Sequence, residues 1–159
     1  MTGMKDNSKK QNIKTVECVI DNADMWMFKF EHLKKNLTDY TYEDILSKQR
    51  NVETVIANFD VEYSYEIIGL FEWYWGGWNR TPNAASMQET AKKWYEKYDA
   101  ELIGISHDTL SFKCRKLSED EAQSLMQEID DLYAEIIGCN TEEIIGYLME
   151  NQMFTLWWD

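Results

Sequence analysis

The sequence predicts an α+β fold, an antiparallel sheet of about four to six strands with helices on one face. Three stretches carry that expectation. VIANFDVEY alternates apolar with mostly polar residues, the period of a half-buried strand. LSEDEAQSLMQEIDDLYAEI repeats its apolar residues at the period of a helix. MFTLWW is too short and too rich in β-prone residues for anything but a strand.

Taken in order, the opening MTGMKDNSKKQN has lysines with no apolar run behind them, which argues against a signal peptide and predicts a disordered tip over residues 1–12. Between 13 and 32, TVECVI and MWMFKF flank a DNAD turn signal and predict a β-hairpin, although MWMFKFEHL equally suits the start of a helix. Thr41, three residues before Asp44, opens a short helix over YEDILSKQR. Val55, Ala57, Phe59, Val61 and Tyr63 then place a strand over 54–63. YEIIGLFEWYW suits a short helix or an irregular crossing, and GGWNRTPN has the glycine, asparagine and proline of a loop.

Met87, Ala91, Trp94, Tyr95 and Tyr98 recur at helical spacing and predict a helix over about 83–98. ELIGIS and TLSFKCR read as a hairpin turning at His107-Asp108. Ser118 and Glu121 form a capping-box pattern opening a helix over 118–136, and Asn140 with Glu143 opens another over 141–151. In the last strand Phe154, Leu156 and Trp158 face one side and Trp157 the other. From residue 54 the order matches a βαββαβ, ferredoxin-like unit, in which the last strand lies inside or beside the first. Residues 13–159 are expected to form a single domain, 13–53 being an N-terminal hairpin and helix extension of the 54–159 core.

The net charge of −13 is unevenly placed: residues 1–50 carry nine basic and eight acidic side chains, whereas 117–159 carry none and eleven. That balance opposes nucleic-acid binding, because phosphate contacts need Lys and Arg. No apolar run approaches the roughly 20 residues of a membrane span, so no membrane association is expected. Cys18, Cys114 and Cys139 are odd in number and lack a CxxC, which suggests neither a disulfide framework nor a zinc site and fits reduced thiols in a cytoplasm. Phosphate-binding glycine loops, GxSxG and HExxH are missing, so no cofactor and no metal is expected.

Three constellations are candidates for function. His107 and Asp108 at a hairpin turn could act as acid, base or ligand with Asp159 as a third polar group; equally, the aspartate caps its own turn and the histidine faces water. Trp73, Trp75 and Trp78 around Gly76-Gly77 form either a satellite core or an aromatic binding floor with Asn79 as its polar anchor. Glu119, Asp120, Glu121, Glu128, Asp130, Asp131, Glu142 and Glu143 form an acidic face with no local lysine or arginine, either solvated or turned to a basic protein partner. The leading expectation is a non-enzymatic acidic recognition protein, comparable in size and charge to toxin-neutralising immunity proteins. The rival is an enzyme or small-ligand binder using the GGWN loop with His107, Asp108 and Asp159.

GGWN at 76–79, Pro82, WYEKYDAEL at 94–102, SHD at 106–108 and LWWD at 156–159 together resemble a bacterial domain-of-unknown-function family, number four-two-five-three. The likeness covers roughly residues 64–159 and implies a bacterial, cytoplasmic domain with no established activity. By that resemblance Gly77, Trp78, Asn79, Pro82, Trp94, Tyr98, His107, Asp108, Trp157, Trp158 and Asp159 match family hallmark positions, the aromatic and GGWN residues among them as binding candidates. The chain departs from the pattern at Thr81, where members tend to carry a cysteine. It departs again at Tyr133-Ala134-Glu135, in place of a Cys-Pro-Asp run, and lacks the Gln-Gly that follows. A family chemistry that used those residues would be lost here.

Overall fold

The computed structural model describes residues 15–21, 54–71, 75 and 80–158. The expected disordered tip, the MWMFKF strand and the YEDILSKQR helix lie outside them, as do GGWN at 76–79 and Asp159.

Strands β1 (Val16–Asp21) and β2 (Thr54–Phe59) pair antiparallel along their whole length, Cys18 facing Ala57. A strand has two edges, and β1 uses the second to pair in parallel with β3 (Glu101–Ile105) through Val19 and Ile20. The TVECVI strand therefore forms where expected, with residues 54–59 and 104–105 as its described neighbours. β2 stops at Phe59, short of the expected Tyr63, because the Val61 amide turns back onto the Phe59 carbonyl at 2.9 Å. Glu66 then gathers the chain, its carboxylate accepting from the amides of Glu62 and Tyr63, and opens the short helix α1 (Glu66–Leu70).

Helix α2 (Ala84–Tyr98) starts on Asn83, whose side chain accepts from the Ser86 amide at 2.8 Å. Of the expected stripe it buries Met87, Ala91, Trp94 and Tyr98 and leaves Tyr95 half-buried against Tyr63 and Tyr65. β3 and β4 (Thr109–Lys113) form the expected hairpin, with a bulge between Leu102 and Gly104. Gly104 lies opposite Ser111, where a Cβ would come within 3.3 Å of the serine Cβ.

Helix α3 (Glu119–Asp131) has the capping box in full: Ser118 and Glu121 each accept from the other's amide. It ends five residues before the expected Ile136, closed by a C-terminal motif in which the Tyr133 amide reaches the Asp130 carbonyl and the Ala134 amide the Ile129 carbonyl. Tyr133 occupies the left-handed position (φ 61°) that glycine usually takes there. Ile136 therefore sits on a two-residue strand, β5 (Glu135–Ile136), against the last strand β6 (Met153–Trp157). Between them a 3-10 turn (Thr141–Glu143) leads into helix α4 (Ile144–Glu150).

The sheet is open and mixed, mostly antiparallel, in the order β2-β1-β3-β4-β6-β5, and with its helices the molecule is α+β. Its strand order differs from that of a ferredoxin-like unit: β6 lies between β4 and β5, and β1, β3 and β4 separate it from β2, the strand beside or inside which that order would put it. The antiparallel register with β4, from Thr109↔Trp157 to Lys113↔Met153, gives β6 its place. Along β6, Phe154 and Leu156 are buried and Trp157 is half-buried, while Trp158 follows into the core. Phe112 and Phe154 stack directly across the two strands at 5.5 Å, and Trp94 of α2 presents its ring edgewise to both. Ser111 and Thr155 share a hydroxyl contact of 2.8 Å one register position along, where side chains point to the other face. No helix among the described residues is long and apolar enough to cross a membrane.

Candidate functional site

The Ser106–Thr109 turn joins β3 to β4, and its side chains take over bonds that backbone would otherwise make. The Ser106 amide donates to the Thr109 carbonyl at 3.0 Å, but the Thr109 amide returns to the Ser106 hydroxyl, also at 3.0 Å. The same buried hydroxyl lies 3.1 Å from Asp108 Oδ1. Asp108 Oδ2 accepts from the Trp157 indole N–H at 3.1 Å, and the Asp108 carbonyl accepts the Trp158 amide at 3.1 Å. His107 Nε2 stands 3.6 Å from Asp108 Oδ2, both side chains being about a fifth exposed. Asp108 is thus the clasp between the β3–β4 turn and the end of β6.

Trp158 completes this corner from inside. Its indole N–H donates to the Leu132 carbonyl at 2.9 Å, which fastens the end of α3 to the end of β6. Its ring packs edgewise on Trp75 at 5.4 Å. Trp75 immediately precedes the GGWN segment and is buried, so it belongs to the core rather than to an open binding floor. Gly77, Trp78, Asn79 and Asp159 lie outside the described residues, as does Trp73. Of the sequence candidates, the structure brings His107, Asp108, Trp157 and Trp158 together.

Trp94 and Tyr98 lie elsewhere, buried under the middle of the sheet. Trp94 donates its indole N–H to Glu128 at 2.8 Å, and burial raises the Tyr98 hydroxyl above its ordinary pKa, keeping it neutral. Neither ring meets solvent. Burial likewise raises the thiols of Cys114 and Cys139 above their ordinary pKa.

The acidic face divides into two groups. Glu121 is gripped by Arg115, Nη1 to Oε1 at 3.0 Å with a second bond from Nη2, and this hydrogen bonding holds its carboxyl down at about 2. Glu128 accepts from Trp94 and pairs with Lys97 at 3.3 Å. The expectation that these helices lack neutralising bases fails at those two positions, because Lys97 and Arg115 reach them from α2 and from the segment before α3. Glu119, Asp120, Asp130, Asp131, Glu142 and Glu143 are exposed and enter no ion pair among the described residues. Sequence reasoning missed Ser106 and the Leu132 carbonyl, whose roles rest on contacts between distant segments.

A family model described as a domain of unknown function (DUF4253) matches residues 55–159. It extends the expected likeness towards the start of the chain to include β2. No curated protein and no solved structure matches the chain. With about two thirds of its length matched, including the SHD turn and the Trp-Trp end that Asp108 joins, the chain belongs to the DUF4253 family.

Proposed function

We propose that this protein is a non-enzymatic recognition module whose acidic face binds a basic protein partner, in a cytoplasmic, immunity-like or regulatory setting. The observation that carries this reading is the contrast within the acidic face: Glu121 and Glu128 are neutralised from inside the chain, whereas the six exposed carboxylates around them are not. Uncompensated charge of one sign speeds capture of an oppositely charged surface and discriminates against acidic competitors. A pull-down from the native host at low and high salt, run beside a D130N/D131N/E142Q/E143Q variant, tests it. The expected result is a basic protein held by the wild-type chain at low salt, released at high salt and lost with the variant. Retention of nothing basic, or equal retention by both chains, overturns the reading.

One observation favours a second reading, an enzyme or small-ligand binder. His107 Nε2 and Asp108 Oδ2 stand 3.6 Å apart at a partly open corner, just beyond hydrogen-bond reach, so a small movement would join them. Against it, both oxygens of Asp108 already have structural partners in Ser106 and Trp157. Ligand-dependent shifts of the His107 ring resonances, absent in H107Q, would favour this reading over recognition.

A further inference from the structure

A cleft of about 500 Å³ opens between the end of α3, β5 and the start of α4. Ile129 and Ile136 form its floor, with Ala134 and Ile144 half-buried beside them. Asp130 and Glu135 stand on its rim, exposed and in no ion pair among the described residues. The wall is preorganised, because the Ala134 amide is tied to the Ile129 carbonyl and the Ile137 amide to the Thr155 carbonyl at 2.9 Å. Apolar surface continues past the cleft on the same loop, where Ile137 is 51% exposed; Tyr133, 61% exposed, carries the Arg80 guanidinium over its ring at 4.7 Å.

We infer that this cleft docks a basic amphipathic segment of a protein partner, an apolar side chain in its floor and lysine or arginine against Asp130 and Glu135. The inference rests on the recognition reading and gives it a location. Three features select this occupant. The cavity lies within the roughly 300–1,000 Å³ of ligand sites, ample for a leucine- or phenylalanine-sized group. Charge complementarity favours a cation, since Asp130 and Glu135 on the rim enter no ion pair among the described residues. The apolar floor together with the exposed Ile137 offers more apolar contact than a small cation could cover, which favours an extended segment. Asp130 and Asp131 also occupy the last turn of α3, where no basic residue accompanies them and the helix dipole disfavours negative charge. A cationic partner would reverse that penalty.

Cys139 lines the cleft and supplies a local reporter, since Cys18 and Cys114 are buried. The probe is a short synthetic helix of leucine and lysine, compared with leucine–glutamate and serine–lysine versions. Alkylation of Cys139 by iodoacetamide under mildly alkaline conditions is followed by mass spectrometry. The leucine–lysine peptide is expected to slow it saturably and the two controls to leave it unchanged. D130N/E135Q is expected to weaken that protection roughly tenfold, the equivalent of about 1.4 kcal/mol. Equal protection by either control, unchanged protection in the double variant, or no protection at saturating peptide overturns the cleft. If a basic protein is retained in the pull-down while Cys139 stays unprotected, the cleft fails and the recognition reading survives. If the peptide protects Cys139 and nothing basic is retained, the cleft binds the probe but the recognition reading fails, and the assignment of the cleft to a protein partner fails with it.

Discussion

Two regions with opposite polar economies meet at the Trp157 end of β6. At the corner beyond Trp157, Asp108, Ser106, Trp157 and Trp158 turn their hydrogen-bonding groups on one another or on nearby backbone. Around α3, β5 and the 3-10 turn, carboxylates of one sign face outward beside an apolar cleft. Residues that attract attention in sequence can therefore be closures, and residues that look like a bland solvated face can be the surface left for something else. A polar group satisfied internally has its partner already. One left exposed beside apolar surface, in an electrostatically unfavourable place, is available for binding.

The largest expected effect lies under both regions, where the sheet is sealed by Trp94, Phe112 and Phe154. Phe154→Ala removes a ring packed against two others and is expected to cost about 3–5 kcal/mol of unfolding free energy in urea titration. A loss below about 1 kcal/mol would mean that β6 is not packed as described, and the comparison would dissolve. Next comes the corner itself. Asp108→Ala leaves the Trp157 indole N–H and the Ser106 hydroxyl without their carboxylate and is expected to cost about 2–3 kcal/mol, with a shift in tryptophan fluorescence. Asp108→Asn, which keeps one acceptor oxygen, should recover part of that loss. Were Asp108→Ala to leave stability untouched while abolishing a ligand response, the corner would be a site and not a closure.

The features legible in the sequence were those with a short period or a local cap. Ser118 and Glu121 announced α3, and the alternation of MFTLWW placed Phe154, Leu156 and Trp158 on one side, the side that the structure buries. The end of α3 was not legible, because Leu132, Tyr133 and Ile136 continue a helical apolar stripe. The chain nevertheless reverses at Tyr133, a residue that carries none of the usual glycine signal for a left-handed position. The β1–β3 parallel pairing and the strand order were out of reach for a different reason: they join segments far apart in sequence, and no local pattern records such contacts. The site divided along the same line. The SHD turn was readable as a turn, but that Asp108 serves Trp157 depends on the β4–β6 register. That Glu121 and Glu128 are neutralised depends on bases outside the acidic third.

The pair of Arg115 and Glu121 sharpens the comparison through pH. Both side chains are about a third exposed, so solvent screens the pair and its effect should be smaller than that of the corner. The Glu121 carboxyl lies at about 2, chiefly through its hydrogen bonds from Arg115, against 4.5 ordinarily. Because the folded value is the lower one, its stabilisation is complete above 4.5 and is lost as the pH falls towards about 2. Glu121→Gln should therefore melt below wild type at neutral pH, the gap narrowing over that acid window. A gap that widened on acidification would reverse the sign and remove Glu121 from the internally satisfied group.

The smallest expected effect discriminates most sharply, because it is a gain. Glu119 and Asp120 lie in the first turn of α3 and Asp130 and Asp131 in its last, so one macrodipole favours the first pair and opposes the second. Neutralising E119Q/D120N should lower stability by about 0.3–1 kcal/mol, whereas D130N/D131N should raise it by a similar amount at low salt. The amide oxygen that D131N introduces would still accept the bond that Gln127 now gives Asp131, so the gain is not confounded by a lost partner. Two variants with the same charge change but opposite effects, both shrinking as salt is added, would separate the role of the charges in folding from any role in binding. Carboxylates whose removal strengthens the free protein are held in place by something other than its own stability, and the cleft beside them is where that something would act. Should D130N/D131N destabilise instead, the last turn of α3 would join the corner as internal structure, and the distinction between the two regions would be lost.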